Sequence, residues 1–214
     1  MFLSKVEIRG RAGEFFPAVE HFDEKNLKEA CYDLRIGDEV FLSEKRVPKR
    51  LSDRDPYVIL PPGQFALIKT FEKVRIPRDI VAFISIRSKL KFQGLINISG
   101  FHVDPTYEGH LIFSVQNVGP NDIRLEFQQP AFMIMWSRLS MPYKEEEGVP
   151  PRPQGYDRIT LEMMAQLGGP SVTLVSLQKR VEELSLRLKI YGGFAIAAFL
   201  VVLGLLLEKY IQLR

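Results

Sequence analysis

Residues 83–117 read FISIRSKLKFQGLINISGFHVDPTYEGHLIFSVQN. Apolar, strand-like runs frame this stretch, yet charged and polar residues interrupt it where a buried strand ends, and such residues need a reason to be there. Arg87, Ser88 and Lys89 follow the apolar run 80–84 and group a guanidinium, a hydroxyl and an ammonium, a donor set suited to oxyanions and phosphates. Asp104-Pro105-Thr106-Tyr107-Glu108-Gly109 then offers a carboxylate, a turn-forming proline and an aromatic three residues on, ahead of the strand-like run 110–116. Together the two pieces read as a nucleotide pocket. Each also fits an ordinary surface turn, where Asp, Pro and Gly are common.

Working outward, the texture from Tyr32 onward is β. The apolar runs 40–42, 57–60, 65–68, 80–86, 95–98, 111–115, 123–127 and 131–136 are short and are punctuated by turns such as PPG, IPRD and VGPND. Many short strands with regular turn signals predict an all-β barrel or double-sheet roll. Residues 23–30 read as one or two helical turns, and those up to Phe22 show short apolar patches without a clear period.

Composition narrows the function. The chain has 214 residues, 46% of them hydrophobic, enough for a core. The net charge is only +3, with 29 basic residues scattered among 26 acidic ones. A nucleic-acid polymer is therefore not an expected partner, since that needs a basic stripe with interleaved aromatics. Cys31 is the single cysteine, so no intrachain disulfide forms, and it is expected to pack as a small apolar residue beside the Tyr32 strand. The amino terminus carries no apolar run of signal-peptide length and reads as mature protein.

The carboxyl-terminal third changes character. Residues 144–170 hold a charge run and four prolines and read as an arm and linker. Leu174, Leu177, Val181, Leu184 and Leu188 then alternate by three and four, a heptad seam over 171–189; a single juxtamembrane helix fits the same residues. From Ile190 to Leu207 no charge occurs over 18 residues, which as a helix covers roughly 27 Å, close to a hydrocarbon core. This predicts a transmembrane helix, with 208–214 as a short tail. Lys179, Arg180, Arg187 and Lys189 precede the span against Lys209 and Arg214 after it, which favours a tail-anchored protein whose β domain, residues 1–143, faces the cytoplasm.

Residues 87–117 resemble the central segment of the dCTP deaminase and trimeric dUTPase superfamily, where a strand ending in Arg-Ser is followed by a Gly-Leu turn and an Asp-Pro-x-Tyr/Trp-x-Gly turn. Residues 32–37, YDLRIG, are similar to that family's Tyr-Asp-Leu-Arg-Leu-Gly, and 60–67, LPPGQFAL, to its Leu-Pro-Pro-Gly-Glu-Phe-Ala-Leu. The ordered matches cover roughly residues 1–160. The resemblance implies a distorted jelly roll, a homotrimer with pockets between subunits, and a pyrimidine deoxynucleoside triphosphate as ligand, accompanied by Mg²⁺. It assigns phosphate binding to Arg87 and Ser88, with Lys89 beside them where the family usually has a small residue. It places base reading at the Ser99-Gly100 turn, with Gly100 in the nucleotide site. Asp104 falls on the carboxylate that positions water in dUTPases, and Tyr107 on the aromatic under the deoxyribose. Gln154 and Tyr156 look like the arm that closes over a neighbouring subunit's nucleotide. Asp33 falls on a residue associated with the metal end of the site, although a turn-capping role fits it equally.

Departures from the family pattern bear on activity. The proton-shuttling Glu of the deaminases falls at Ser114, and a second Arg falls at Phe92; neither replacement transfers a proton or stabilises an oxyanion in the same way. One residue is missing between Leu95 and Asp104, so a rebuilt base-reading turn is expected. Zinc-dependent deamination, which needs a Cys-x-x-Cys pair, is excluded by the cysteine count. Three functions follow: a membrane-anchored nucleotide binder, acting as a sensor or degenerate enzyme; an active dCTP deaminase or dUTP pyrophosphatase; or a structural domain that trimerises a membrane tail.

Overall fold

A computed structural model describes residues 1–45, 47–144, 155–167 and 174–212. Its strands are β1 (Tyr32–Leu42), β2 (Lys49–Arg50), β3 (Tyr57–Leu60), β4 (Phe65–Arg75), β5 (Ile80–Ile86), β6 (Leu95–Asn97), β7 (His102–Val103), β8 (Glu108–Asn117), β9 (Ile123–Glu126) and β10 (Pro130–Arg138). β1 is shared: Tyr32 to Arg35 pairs antiparallel with β10, whereas Ile36 to Leu42 pairs with β4. The register shifts between Leu34 and Arg35, one residue before the partner changes. The hydrogen-bonded path runs β6-β8-β4-β1-β10-β5-β7, with β2 added on β1 and a separate β3-β9 pair. The path curls on itself, so that Phe113 of β8 stacks on Phe132 of β10 with ring centroids 3.8 Å apart. This is the expected all-β roll, and the expected runs appear in it as strands.

The sequence pattern underestimates β4, which continues from Ile68 to Arg75 although Glu72 interrupts its apolar run. Glu72 is fully buried, and its carboxylate accepts from Arg35 Nε at 2.7 Å, from the Arg35 backbone N–H at 2.8 Å and from the Tyr32 hydroxyl at 3.3 Å. A buried carboxylate is tolerated because its lone pairs are met by a paired cation and two further donors. The amino terminus is also more ordered than its period suggests. Helices α1 (Lys5–Gly10) and α2 (Ala12–Phe15) carry Ile8, Phe15 and Phe16 into the core, where Phe15 stacks on Trp136 at 4.8 Å. The Glu7 carboxylate accepts the Ser4 N–H and hydroxyl at 2.9 Å each, fixing the start of α1. The helical reading of 23–30 reduces to one 3₁₀ turn at Glu24–Asn26.

Helix α3 (Ser88–Lys91) follows β5, and α4 (Leu161–Leu167) lies within the expected arm. The chain divides into two compact units, Met1–Ser171 and Val172–Arg214. In the second unit, α5 (Leu174–Gln212) is one uninterrupted helix of 39 residues, so the heptad run and the apolar run share a single helix that continues past Leu207. Within it Arg180–Leu206 is long and apolar enough to cross a membrane.

Candidate functional site

The turn Asp104–Tyr107 is tied to the end of β4. The Thr106 N–H donates to the Ile76 carbonyl at 2.8 Å, and the Ile76 N–H returns to the Tyr107 carbonyl at 2.9 Å. Holding that geometry puts Thr106 at φ +71°, a left-handed conformation costly for a β-branched residue. β8 then alternates with strict period two: Leu111, Phe113 and Val115 are buried in the roll, while Ile112 and Ser114 stay half-exposed on the opposite face. That face borders a cavity of about 670 Å³, whose polar lining includes Ser99, Gly100, His102, Asp104, Tyr107 and Ser114. Leu67, Ile112, Met163 and Leu167 supply apolar wall.

The arm lies on this chain's own roll. Gly155 packs against Gly109 so closely that a Cβ on Gly109 would stand 2.6 Å from the Gly155 carbonyl carbon. The His110 N–H donates to the Tyr156 carbonyl at 2.8 Å, and the Ile159 N–H donates to the Glu39 carboxylate at 2.8 Å. Ile159 is buried against Phe41 and Leu67. Tyr107 sits under Gly155, with its hydroxyl donating to the His110 carbonyl, and burial pushes its pKa up to about 12. Tyr156 lines the cavity of its own chain, whereas the resemblance places it over a neighbouring subunit's nucleotide. Gln154 lies outside the described residues.

Arg87, Ser88 and Lys89 sit at the junction of β5 and α3 and do not line this cavity. Ser88 and Lys89 are exposed. The Arg87 guanidinium lies 3.3 Å from the Asp33 carboxylate and donates to the Pro130 carbonyl at 3.3 Å. Asp33 is nearly fully buried, with Lys28 Nζ at 3.9 Å as a second cation. Burial raises its pKa, against the pull of Arg87 and Lys28. The residue associated with a metal is thus engaged by two cations, and among the described residues no three His, Cys, Asp or Glu side chains come together as a ligand set. The described residues thus do not fit a resident metal ion. Cys31 is half-buried beside this group rather than in an apolar setting; burial and the Asp33 charge both raise its thiol pKa.

The departures noted in the sequence now have positions. Ser114 lines the cavity, and Asp104 is the carboxylate among its described lining residues. Phe92, where the second arginine would fall, is 89% exposed. The 97–100 turn is held by Asn97, whose side chain bonds to Ser99 and Gly100. Sequence reasoning did not single out His102, which lines the cavity, or Asn97 and His110, which lie on the turn and strand beside it. His102 Nε2 stands 3.6 Å from the Asp104 carboxylate. His110 donates from Nδ1 to the Thr70 carbonyl at 2.9 Å, and burial, with nearby Lys69, lowers its pKa. The alternation of β8 was the available signal for His110; nothing in the local pattern marked the other two.

A curled β roll with a cavity on one face of β8, walled by an Asp-Pro-x-Tyr turn, defines a domain of the dCTP deaminase-like fold class. The chain belongs to the dCTP deaminase-like family, which matches residues 2–137. It is 33% identical over 124 residues to a dCTP deaminase of Pyrococcus horikoshii, covering 58% of this chain and 77% of the relative. A dUMP-forming dCTP deaminase of Methanosphaera stadtmanae is 27% identical over 171 residues, 72% of this chain and 82% of that protein. Among solved structures, the 2'-deoxycytidine 5'-triphosphate deaminase of Agrobacterium tumefaciens superposes with a TM-score of 0.51 at 17% identity. That match covers 63% of this chain and about half, 47%, of that one, and it bears on the fold alone.

Proposed function

We propose that this protein is a membrane-anchored, dCTP deaminase-like domain that binds a pyrimidine deoxynucleoside triphosphate, dCTP or dUTP, without efficient deamination. It acts as a sensor or degenerate enzyme of nucleotide metabolism. The observation that carries this reading is Ser114, a hydroxyl on the cavity wall at the position where the family resemblance expects the proton-shuttling carboxylate. A serine has no accessible pKa for moving protons between water and a leaving amine.

In this reading the roll is a homotrimer. One chain's cavity holds Gly100, Asp104 and Tyr107, whereas Arg87, Ser88 and Lys89 lie elsewhere on the same chain, and a neighbouring copy would supply that cationic group to the phosphates. Asp33 holds the Arg87 guanidinium in place, and Mg²⁺ arrives with the triphosphate, held by phosphate oxygens. Residues 190–207 of α5 anchor the protein in a bilayer, with the 171–189 seam joining three helices and the roll on the cytoplasmic side.

Asp104 favours a second reading, dUTP pyrophosphatase, because an exposed carboxylate lines the cavity and is able to orient an attacking water. Calorimetry on the full-length protein in detergent, with dCTP or dUTP and Mg²⁺, tests the binding claim. Saturable binding is expected, weakened by about 1.5 to 3 kcal/mol in Arg87→Ala, the loss of a charged hydrogen bond. Pyrophosphate release abolished by Asp104→Asn would establish the second reading. Absence of binding by either nucleotide would leave only a structural role in trimerisation.

A further inference from the structure

The arm rests directly on His110. The His110 N–H donates to the Tyr156 carbonyl, and the Tyr107 hydroxyl donates to the His110 carbonyl, so backbone bonds tie both the arm and the preceding turn to this residue. Alternation along β8 puts its ring on the same outer face as Ile112 and Ser114, and on that face Tyr156 and the α4 residues Met163 and Leu167 form the cavity's outer wall. The ring's Nδ1 has a carbonyl partner, Thr70, which only accepts, so the neutral ring carries its proton there and Nε2 is the nitrogen left to take another. Cations surround it. Lys73 of β4 stands directly opposite His110 in the strand register, and Lys69 is near enough to disfavour a second positive charge. Lys69 is itself held in place, with Nζ 2.7 Å from the Asp38 carboxylate and donating to the Asp157 carbonyl at 3.3 Å. From the arm, Asp157 turns one carboxylate toward the group, already 3.6 Å from Lys73. Glu72 presents its backbone carbonyl to the ring while Arg35 engages its carboxylate.

We propose that the arm is an acid-released latch: a proton taken up by His110 frees the arm from the roll and opens the cavity wall that Tyr156 and α4 supply. With the ring neutral, the closed arm leaves two lysines against Asp38 and Asp157, and the charges balance. A protonated ring adds a third cation, directly opposite Lys73 and beside Lys69, and like charges facing each other across a strand pair repel. The arm also keeps water from the ring, which an imidazolium tolerates poorly. Opening removes that penalty, so the proton binds more tightly to the open form than to the closed one and draws the equilibrium toward opening. The closed arm is therefore favoured above the ring's ordinary value of 6.5 and is lost progressively as pH falls below it. This latch operates whatever the cavity binds, so it stands apart from the nucleotide reading.

The test is hydrogen exchange with mass spectrometry on the full-length protein in detergent, expressed as protection relative to the intrinsic rate at each pH. Between about pH 7.5 and about pH 5.5, protection at 156–164 is expected to fall several-fold, with about tenfold as the ceiling for one proton of ordinary value. Protection at 130–138, on β10 within the roll, should stay constant over the same range. His110→Gln keeps the backbone N–H for Tyr156 and an amide donor for Thr70 but takes up no proton, and its arm protection should not change with pH; His110→Asn is a second neutral variant should the first fail to fold. Constant arm protection in the unaltered chain would overturn the proposal. An equal fall in the neutral variants would overturn it too, by assigning the release to another group, and a parallel fall at 130–138 would replace it with unfolding of the whole roll.

Discussion

Replacing Gly109 by alanine should detach the arm from the roll. The added Cβ would stand 2.6 Å from both the Gly155 carbonyl carbon and the Tyr156 nitrogen, and 2.7 Å from the Gly155 Cα. These are backbone atoms, which cannot swing aside as a flexible side chain would, so the arm has to move. Moving it separates the Ile159 N–H from the Glu39 carboxylate and the His110 N–H from the Tyr156 carbonyl. Losing the charge-assisted bond alone is worth about 2 kcal/mol, which corresponds to about a 30-fold faster opening-limited exchange at that amide. Hydrogen exchange with mass spectrometry on the full-length protein reads this directly at 108–112 and 156–164. The same change at Gly13, where a Cβ meets nothing within 4 Å, serves as the control and should leave those segments unchanged. Arm exchange in Gly109→Ala as slow as in the unaltered protein would refute the view that the paired glycines seat the arm.

Other consequences follow from buried groups. Burial lowers the His110 pKa below its ordinary 6.5, so its contribution to stability is present above that pH and is lost as pH falls from 6.5 toward the folded value, where the unfolded chain takes up a proton first. Denaturant titrations across this window should show that slope, reduced in His110→Asn. Thr106→Asn should stabilise the fold by about 1 kcal/mol, since asparagine tolerates the left-handed φ of +71°; a lower melting temperature would contradict this. Phe113→Ala should cost about 3 to 5 kcal/mol by emptying the stacked contact with Phe132 between β8 and β10, measured by chemical denaturation.

Much of the roll was legible because its apolar runs are short and separated by proline and glycine turns, so period and punctuation agree. The second half of β4 was not, because its buried Glu72 looks like a surface residue until Arg35, 37 positions earlier, is seen to meet it. The amino-terminal helices are too short, six and four residues, to show a helical period. The Asp104–Gly109 turn was legible as a turn but not as a strained one, since threonine is a poor advertisement for a positive φ. The arm's seat was hidden for a different reason. It depends on Gly109 and Gly155 meeting across 46 residues of sequence, and no local pattern encodes such a meeting.

A nucleotide site without deaminase chemistry is tested most directly by ammonia release from dCTP by the full-length protein under conditions where calorimetry on the same sample shows the nucleotide bound. With Ser114 on the cavity wall, where the family resemblance leads one to expect a proton-shuttling carboxylate, binding without ammonia above the uncatalysed background is predicted; sustained ammonia release that disappears in Arg87→Ala would contradict it.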